Sequence, residues 1–204
     1  MKEYTIVKRE YGENVWDSVD ALKIDTYKWV PGYEPKAEAK FCHDGENIYI
    51  HYQAWEPEIT LKYTKKMQEP VFKDSCMEFF LRKPGDDRYF NFETNAAGNI
   101  LLGFDRIFDD REPVCVDPAI FCFKPSVTNP ADYNGEYWTL EYKIPFSFLR
   151  EKYGEFDLKD GIFANVYKCG DETAHEHYGM WNEVINDEPQ FHVPACFGRM
   201  WFEL

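Results

Sequence analysis

No run of lysine or arginine in these 204 residues is long enough to form a basic stripe, and the formal net charge is −14. A nucleic-acid binder needs such a stripe to displace counterions from phosphate, so nucleic acid is excluded as a partner. Anionic membrane surfaces are disfavoured by the same field, and an uncharged or cationic ligand suits it better. No apolar stretch approaches the roughly 20 residues of a membrane span. The N-terminal MKEYTIVKREYGENVW lacks the apolar core of a signal peptide. As it stands the chain reads as cytoplasmic, and it would read as extracellular had a leader been removed. Six cysteines occur (Cys42, Cys76, Cys115, Cys122, Cys169 and Cys196) but no CxxC pair, and the Cys115 to Cys122 spacing is not that of a zinc knuckle. Each lies beside apolar or strand-like sequence, which suits reduced, semi-buried thiols, while the even count leaves disulfides open. Internal repeats, low-complexity tracts and flexible linkers are also missing, so residues 1–204 read as one domain.

Aromatic side chains are abundant instead: 17 Phe, 14 Tyr and 6 Trp make up 18% of the chain. A core of this size needs fewer, which places some of the rings at a surface where they make contacts. Period-2 alternation dominates the pattern. In NIYIHYQAW, Ile48, Ile50, Tyr52 and Ala54 oppose Tyr49, His51, Gln53 and Trp55. In DSCMEFFLR, Ser75, Met77, Phe79 and Leu81 oppose Asp74, Cys76, Glu78, Phe80 and Arg82. YFNFETN, ILLGFDR, YWTLEYKIP, GIFANVYKC and GRMWFEL continue the series. Turn sequences such as HDGEN, KPGDDR and NAAGN recur between them. PFSFLREKYG is the helix candidate, closed by Gly154. The long segment from Asp105 to Asn134 carries four prolines and an edge-strand candidate around AIFCFKP. The fold expected is all-β: one antiparallel β-sandwich of about ten strands with a short helix.

Asp74 and Glu78 raise a specific question, because a buried strand does not tolerate charge without partners. Alternation sends Met77, Phe79 and Leu81 into the core and puts Asp74 and Glu78 on the opposite face with Cys76 and Phe80. The short KPGDDR connection pairs this strand with YFNFETN, whose corresponding face offers Tyr89, Asn91, Glu93 and Asn95. Further strands could add Tyr49, His51, Gln53 and Trp55, or Phe163, Asn165 and Tyr167 to it. Aromatics mixed with amides and carboxylates, with few cations, suit a sugar. Its C–H faces lie flat on a ring while its hydroxyls donate to carboxylates and exchange with amides. The plainer alternative is a solvated polar face of an ordinary antiparallel sheet. Trp181, in a turn-prone region, and Phe72, just before Lys73, are candidate loop aromatics.

KDSCMEFFL resembles the D-S-V-E-hydrophobic strand of family 9 carbohydrate-binding modules, which lie within the DOMON-like superfamily of jelly-roll or immunoglobulin-like sandwiches. YFNFETNAAGN is similar to the strand that follows it, WTLEYKIPFSFL to the W-x-x-E-x-x-I-P segment, and MWNEV…FHVPACFGRMWFEL to the terminal signature. The four pieces occur in order and span about Asn14 to Leu204. The resemblance implies a sandwich that binds a mono- or oligosaccharide without cleaving it, often at a chain end, with a ring clamped between two aromatics. Carried over position by position, Glu78 matches the motif's hydroxyl-binding Glu, and Asn95 the polar residue of the next strand. Trp181 matches one clamp aromatic, and Phe72 falls where the other clamp Trp can stand. Glu93 falls where some members have Arg, and Tyr178 replaces a polar amide. No cofactor is expected; secreted members can hold structural calcium, for which Asp109, Asp110 and Glu112 are the candidates here.

Two other classes stay open at the level of residues. A glycosidase would need a carboxylate pair. Asp74 and Glu78, four apart on one strand and so about 13 Å distant, are too far apart, which leaves Glu78 with Glu93. DOMON-like relatives also include haem binders, and AHEHYGM brings His175, His177 and Met180 close in sequence.

Overall fold

A computed structural model describes residues 1–106 and 112–204 of the chain. Four strands open it: β1 (Glu3–Lys8), β2 (Leu22–Ile24), β3 (Thr26–Tyr27) and β4 (Ala37–His43). The middle of the chain supplies β5 (Asn47–Ala54), β6 (Cys76–Arg82), β7 (Tyr89–Asn95), β8 (Ile100–Asp105) and β9 (Glu112–Pro113). After β10 (Lys124–Pro125) and β11 (Trp138–Pro145) comes α1 (Phe146–Tyr153), then β12 (Ile162–Cys169), β13 (Tyr178–Met180) and β14 (Gly198–Phe202). Nine of these strands have five or more residues, close to the ten expected; the others are fragments of two or three. The helix ends where expected: Gly154 has φ 75°, and its N–H donates to the Arg150 carbonyl. The expected edge strand near AIFCFKP is reduced to β10, which pairs with β11 at Lys124 and Pro125.

Eleven of the strands form one hydrogen-bonded path, β10-β11-β5-β4-β1-β14-β12-β6-β7-β8-β9, with β2 paired to β4 and β13 paired to β12 and β3 beside it. It curls back on itself so that non-adjacent strands meet face to face. Phe41 of β4 packs on Phe79 of β6 with ring centroids 5.0 Å apart. Ile48, Ile50, Tyr52, Met77, Phe79, Leu81, Phe90 and Phe92 share one buried cluster between the layers, as alternation predicts.

The sheet is mixed, which corrects the expectation of antiparallel pairing throughout. β1 runs parallel to β14, matching Glu3–Ile6 with Arg199–Phe202, and its last residues, Val7 and Lys8, run parallel to Cys42 and His43 of β4. The strand thus links the two layers. Its partners come from distant parts of the chain, so no hairpin imposes an antiparallel sense, and the side-chain period of 2 is the same for either. β14 begins at a glycine for a steric reason: a Cβ on Gly198 would lie 2.6 Å from the Trp181 ring. No helix among the described residues is long and apolar enough to cross a membrane. All six cysteines are free thiols; Cys115 and Cys122 are exposed rather than semi-buried.

Candidate functional site

β6 and β7 are buried along nearly their whole length, on both faces. One face meets the sandwich core. The other is roofed by a smaller cluster that joins Cys76, Phe80, Tyr89, Tyr167 and Cys169 to Val184, Phe191 and Phe197 of the segment after β13. The face that alternation leaves to solvent is therefore covered, and Glu78 and Glu93 are only 3% and 2% exposed.

A cleft of about 260 Å³ opens between the roof and the sheet. Phe72, Glu78, Glu93, Tyr178 and Phe191 line it, with Cys169, Asp171, Gln190 and His192. Glu78 and Glu93 are direct cross-strand neighbours in the β6–β7 ladder, so their carboxylates stand side by side on the floor. Each is held. The Cys169 thiol donates to Glu78 Oε1 over 3.1 Å, and the Asn91 amide donates to Glu93 Oε1 over 2.7 Å. His192 Nε2 lies 3.9 Å from the same Glu93 oxygen, while its Nδ1 is 2.8 Å from the Tyr89 hydroxyl. Phe191 is stacked on Tyr167 with centroids 4.1 Å apart and planes at 12°, which locks the ring in the wall.

Four of the six residues singled out in the sequence, Phe72, Glu78, Glu93 and Tyr178, meet at this cleft. Asn95 and Trp181 do not line it. Trp181 is 5% exposed within the main core, its ring against Gly198 and its backbone N–H donating to the Val166 carbonyl. The buried Asn95 amide donates to the Tyr63 carbonyl and to Asp74 Oδ2, and its carbonyl receives the Asn99 N–H. Asp74 accepts from the Lys62 and Tyr63 N–H groups at 2.8 and 3.1 Å, fastening the segment that precedes Phe72. Its charge thus serves the backbone, not the cleft. Tyr49 and His51 lie on β5 in the other layer, on the far side of the sandwich.

The sequence reading missed Asp171, Gln190, Phe191 and His192. A Phe-His pair directly after Pro189-Gln190 was the available signal, since loop aromatics beside a proline are commonly presented to something. His175, His177 and Met180 form no ligand set. His177 is fully buried, with Nδ1 on the His175 carbonyl and Nε2 receiving from Lys168 Nζ. Met180 Sδ accepts the Val184 N–H. Of the calcium candidates, Asp109 and Asp110 lie outside the described residues, as does the Glu112 side chain.

Asp171 titrates in the neutral range. Burial first, then the charges of Glu176 and Glu93, push its carboxyl up to about 7. A raised acid favours the folded state in its protonated form. That contribution is complete below the ordinary value near 3.8 and is lost as pH rises through about 7. Melting temperature should therefore fall from pH 5 to pH 8 in the wild type more than in Asp171→Asn. Parallel curves for the two proteins would show that Asp171 is not the group responsible.

The model of carbohydrate-binding family 9 matches residues 14–202. Among solved structures, a candidate carbohydrate-binding protein from Bacteroides uniformis aligns with TM-score 0.87 and 28% identity, over 99% of each chain. A family 9 module from Caldicellulosiruptor kristjanssonii in complex with glucose aligns with TM-score 0.67 and 13% identity, over 99% of this chain and 96% of that one. Its cellotriose complex gives TM-score 0.66 and 11% identity, over 99% and 94%. A search of curated proteins found no match. With the family signature running through both floor strands and the roof of the cleft, the chain belongs to carbohydrate-binding family 9.

Proposed function

We propose that the chain is a single non-catalytic module that holds one sugar ring, at the end of a glucose-type saccharide, in the cleft beside Glu78. The observation that carries this is the cross-strand pair Glu78 and Glu93 on the floor of a cleft walled by Phe72, Tyr178 and Phe191. Two fixed carboxylates accept from vicinal hydroxyls, and the rings cover the apolar C–H face. The size, small for a ligand site, suits a ring rather than a long chain. The glucose and cellotriose complexes of modules with this fold support the same ligand class.

The glycosidase reading fits less well. A hydrolytic pair flanks the scissile bond, with one acid on each side. Glu78 and Glu93 stand side by side on one face, and each already receives a protein hydrogen bond. Calorimetric titration with glucose and with cellotriose at millimolar concentration tests the proposal, beside incubation with chromogenic glycosides. Saturable binding without hydrolysis is expected. Failure of both sugars to bind would remove it, and turnover abolished in Glu78→Gln would replace it with the enzyme.

A further inference from the structure

The floor of the cleft holds a second set of donors, which shares only Glu78 with the sugar site. Cys76 and Glu78 are two apart on β6 and so share a face. Cys169 of β12 stands directly opposite Cys76 in the adjoining ladder. The two sulfurs and a Glu78 carboxylate oxygen all lie within 4.8 Å of one another. Among the described residues this is the one set of three His, Cys, Asp or Glu side chains whose donor atoms converge so closely. Cys76 and Cys169 are 0% and 1% exposed, yet Cys169 and Glu78 both line the cleft, which gives an ion a way in.

We propose that Cys76, Glu78 and Cys169 form a binding site for a thiophilic divalent cation of the zinc class, its fourth coordination position facing the cleft. The donor chemistry selects the metal. Two sulfurs and one oxygen suit a borderline-soft tetrahedral ion, whereas calcium and magnesium take six or more oxygens. Metal–sulfur bonds near 2.3 Å and a metal–oxygen bond near 2.0 Å put tetrahedral donors about 3.5–3.8 Å apart. The cluster reaches that with side-chain shifts on the order of 1 Å, and both strands are fixed by their ladders. Loading forms two metal–thiolate bonds and one metal–carboxylate bond, breaks two S–H bonds, and releases both protons to solvent. Affinity therefore rises with pH, approaching 100-fold per unit for two released protons.

Cobalt(II) titration of the full chain under reducing, anaerobic conditions provides the test. The expected result is one equivalent bound, with a thiolate-to-cobalt band in the near ultraviolet and tetrahedral bands in the visible, both erased by zinc. The spectrum should vanish in Cys169→Ser and survive in a Cys115→Ser/Cys122→Ser control, which removes the exposed thiols. X-ray absorption of the zinc-loaded wild type should show two sulfur neighbours, a measurement that does not depend on any variant folding. Absence of the thiolate band, or its loss in the control with retention in Cys169→Ser, overturns the proposal. The readout involves no sugar, so its outcome is separate from that of the carbohydrate titration. If both hold, zinc and glucose compete, because each takes Glu78.

Discussion

Lys168→Met is expected to destabilise the fold by about 3–5 kcal/mol, the usual cost of stranding one partner of a buried ion pair. Lys168 is fully buried, and its ammonium has three partners: an ion pair with Glu56 Oε1 at 3.2 Å, and hydrogen bonds to the Cys169 carbonyl at 2.9 Å and to His177 Nε2 at 2.8 Å. Glu56 in turn accepts from Trp138 Nε1 at 2.5 Å and from the Ser75 hydroxyl at 3.3 Å. The group ties β11, the start of β6 and β12 together, so it clamps both layers at one end of the sandwich. His177 joins it as a neutral acceptor. Burial and the Lys168 charge push its imidazole down to about 2. Removing the ammonium leaves the Glu56 carboxylate buried among neutral donors. Removing both charges, in Lys168→Met/Glu56→Gln, should recover most of the loss. Urea unfolding of the wild type and both variants measures the loss and its recovery. A single-variant loss below about 1 kcal/mol would mean water reaches the cluster and screens it.

This cluster also marks where the sequence stops being readable. Alternation reports which side of a strand faces the core, and it placed Met77, Phe79 and Leu81 correctly because a hydrophobic face is a local property of the strand. What lies over the other face is not local. The roof of β6–β7 comes from Val184, Phe191 and Phe197, more than 90 residues downstream of β7 in the case of Phe191. A face with Cys76, Glu78 and Phe80 looks the same in sequence whether water or a loop covers it. Lys168 shows the same limit from the other side. In IFANVYKC it occupies an inward position, where a lysine argues against burial unless its acceptors are known, and those come from Glu56 and His177 on other segments. Trp181 was legible as an aromatic at a conspicuous place in a loop, but not as a core residue, because the space it fills exists only where Gly198 lacks a side chain. Glu78 could be found because its neighbours on the floor are its own hairpin partners, and hairpin register follows from a short turn.

Glu78→Gln is expected to weaken glucose and cellotriose binding roughly 10–150-fold, the equivalent of the 1.5–3 kcal/mol of a hydrogen bond to a charged acceptor. Gln keeps the size of the side chain, so the cleft retains its shape and the variant isolates charge from volume. Phe72→Ala should cost less, roughly 2–10-fold, because a stacking contact contributes about 0.5–1.5 kcal/mol beyond area. Trp181→Phe supplies the contrast. The ring is packed in the core away from the cleft, so this change should lower unfolding stability and leave sugar affinity within about twofold of wild type. A clamp aromatic would behave in the opposite way. Calorimetry on the three variants, with urea unfolding of each as the control for folding, separates the two roles. If Glu78→Gln binds within threefold of wild type while Trp181→Phe loses binding at unchanged stability, the sugar does not sit at the β6–β7 floor. The cleft would then be a structural gap between the sheet and its roof.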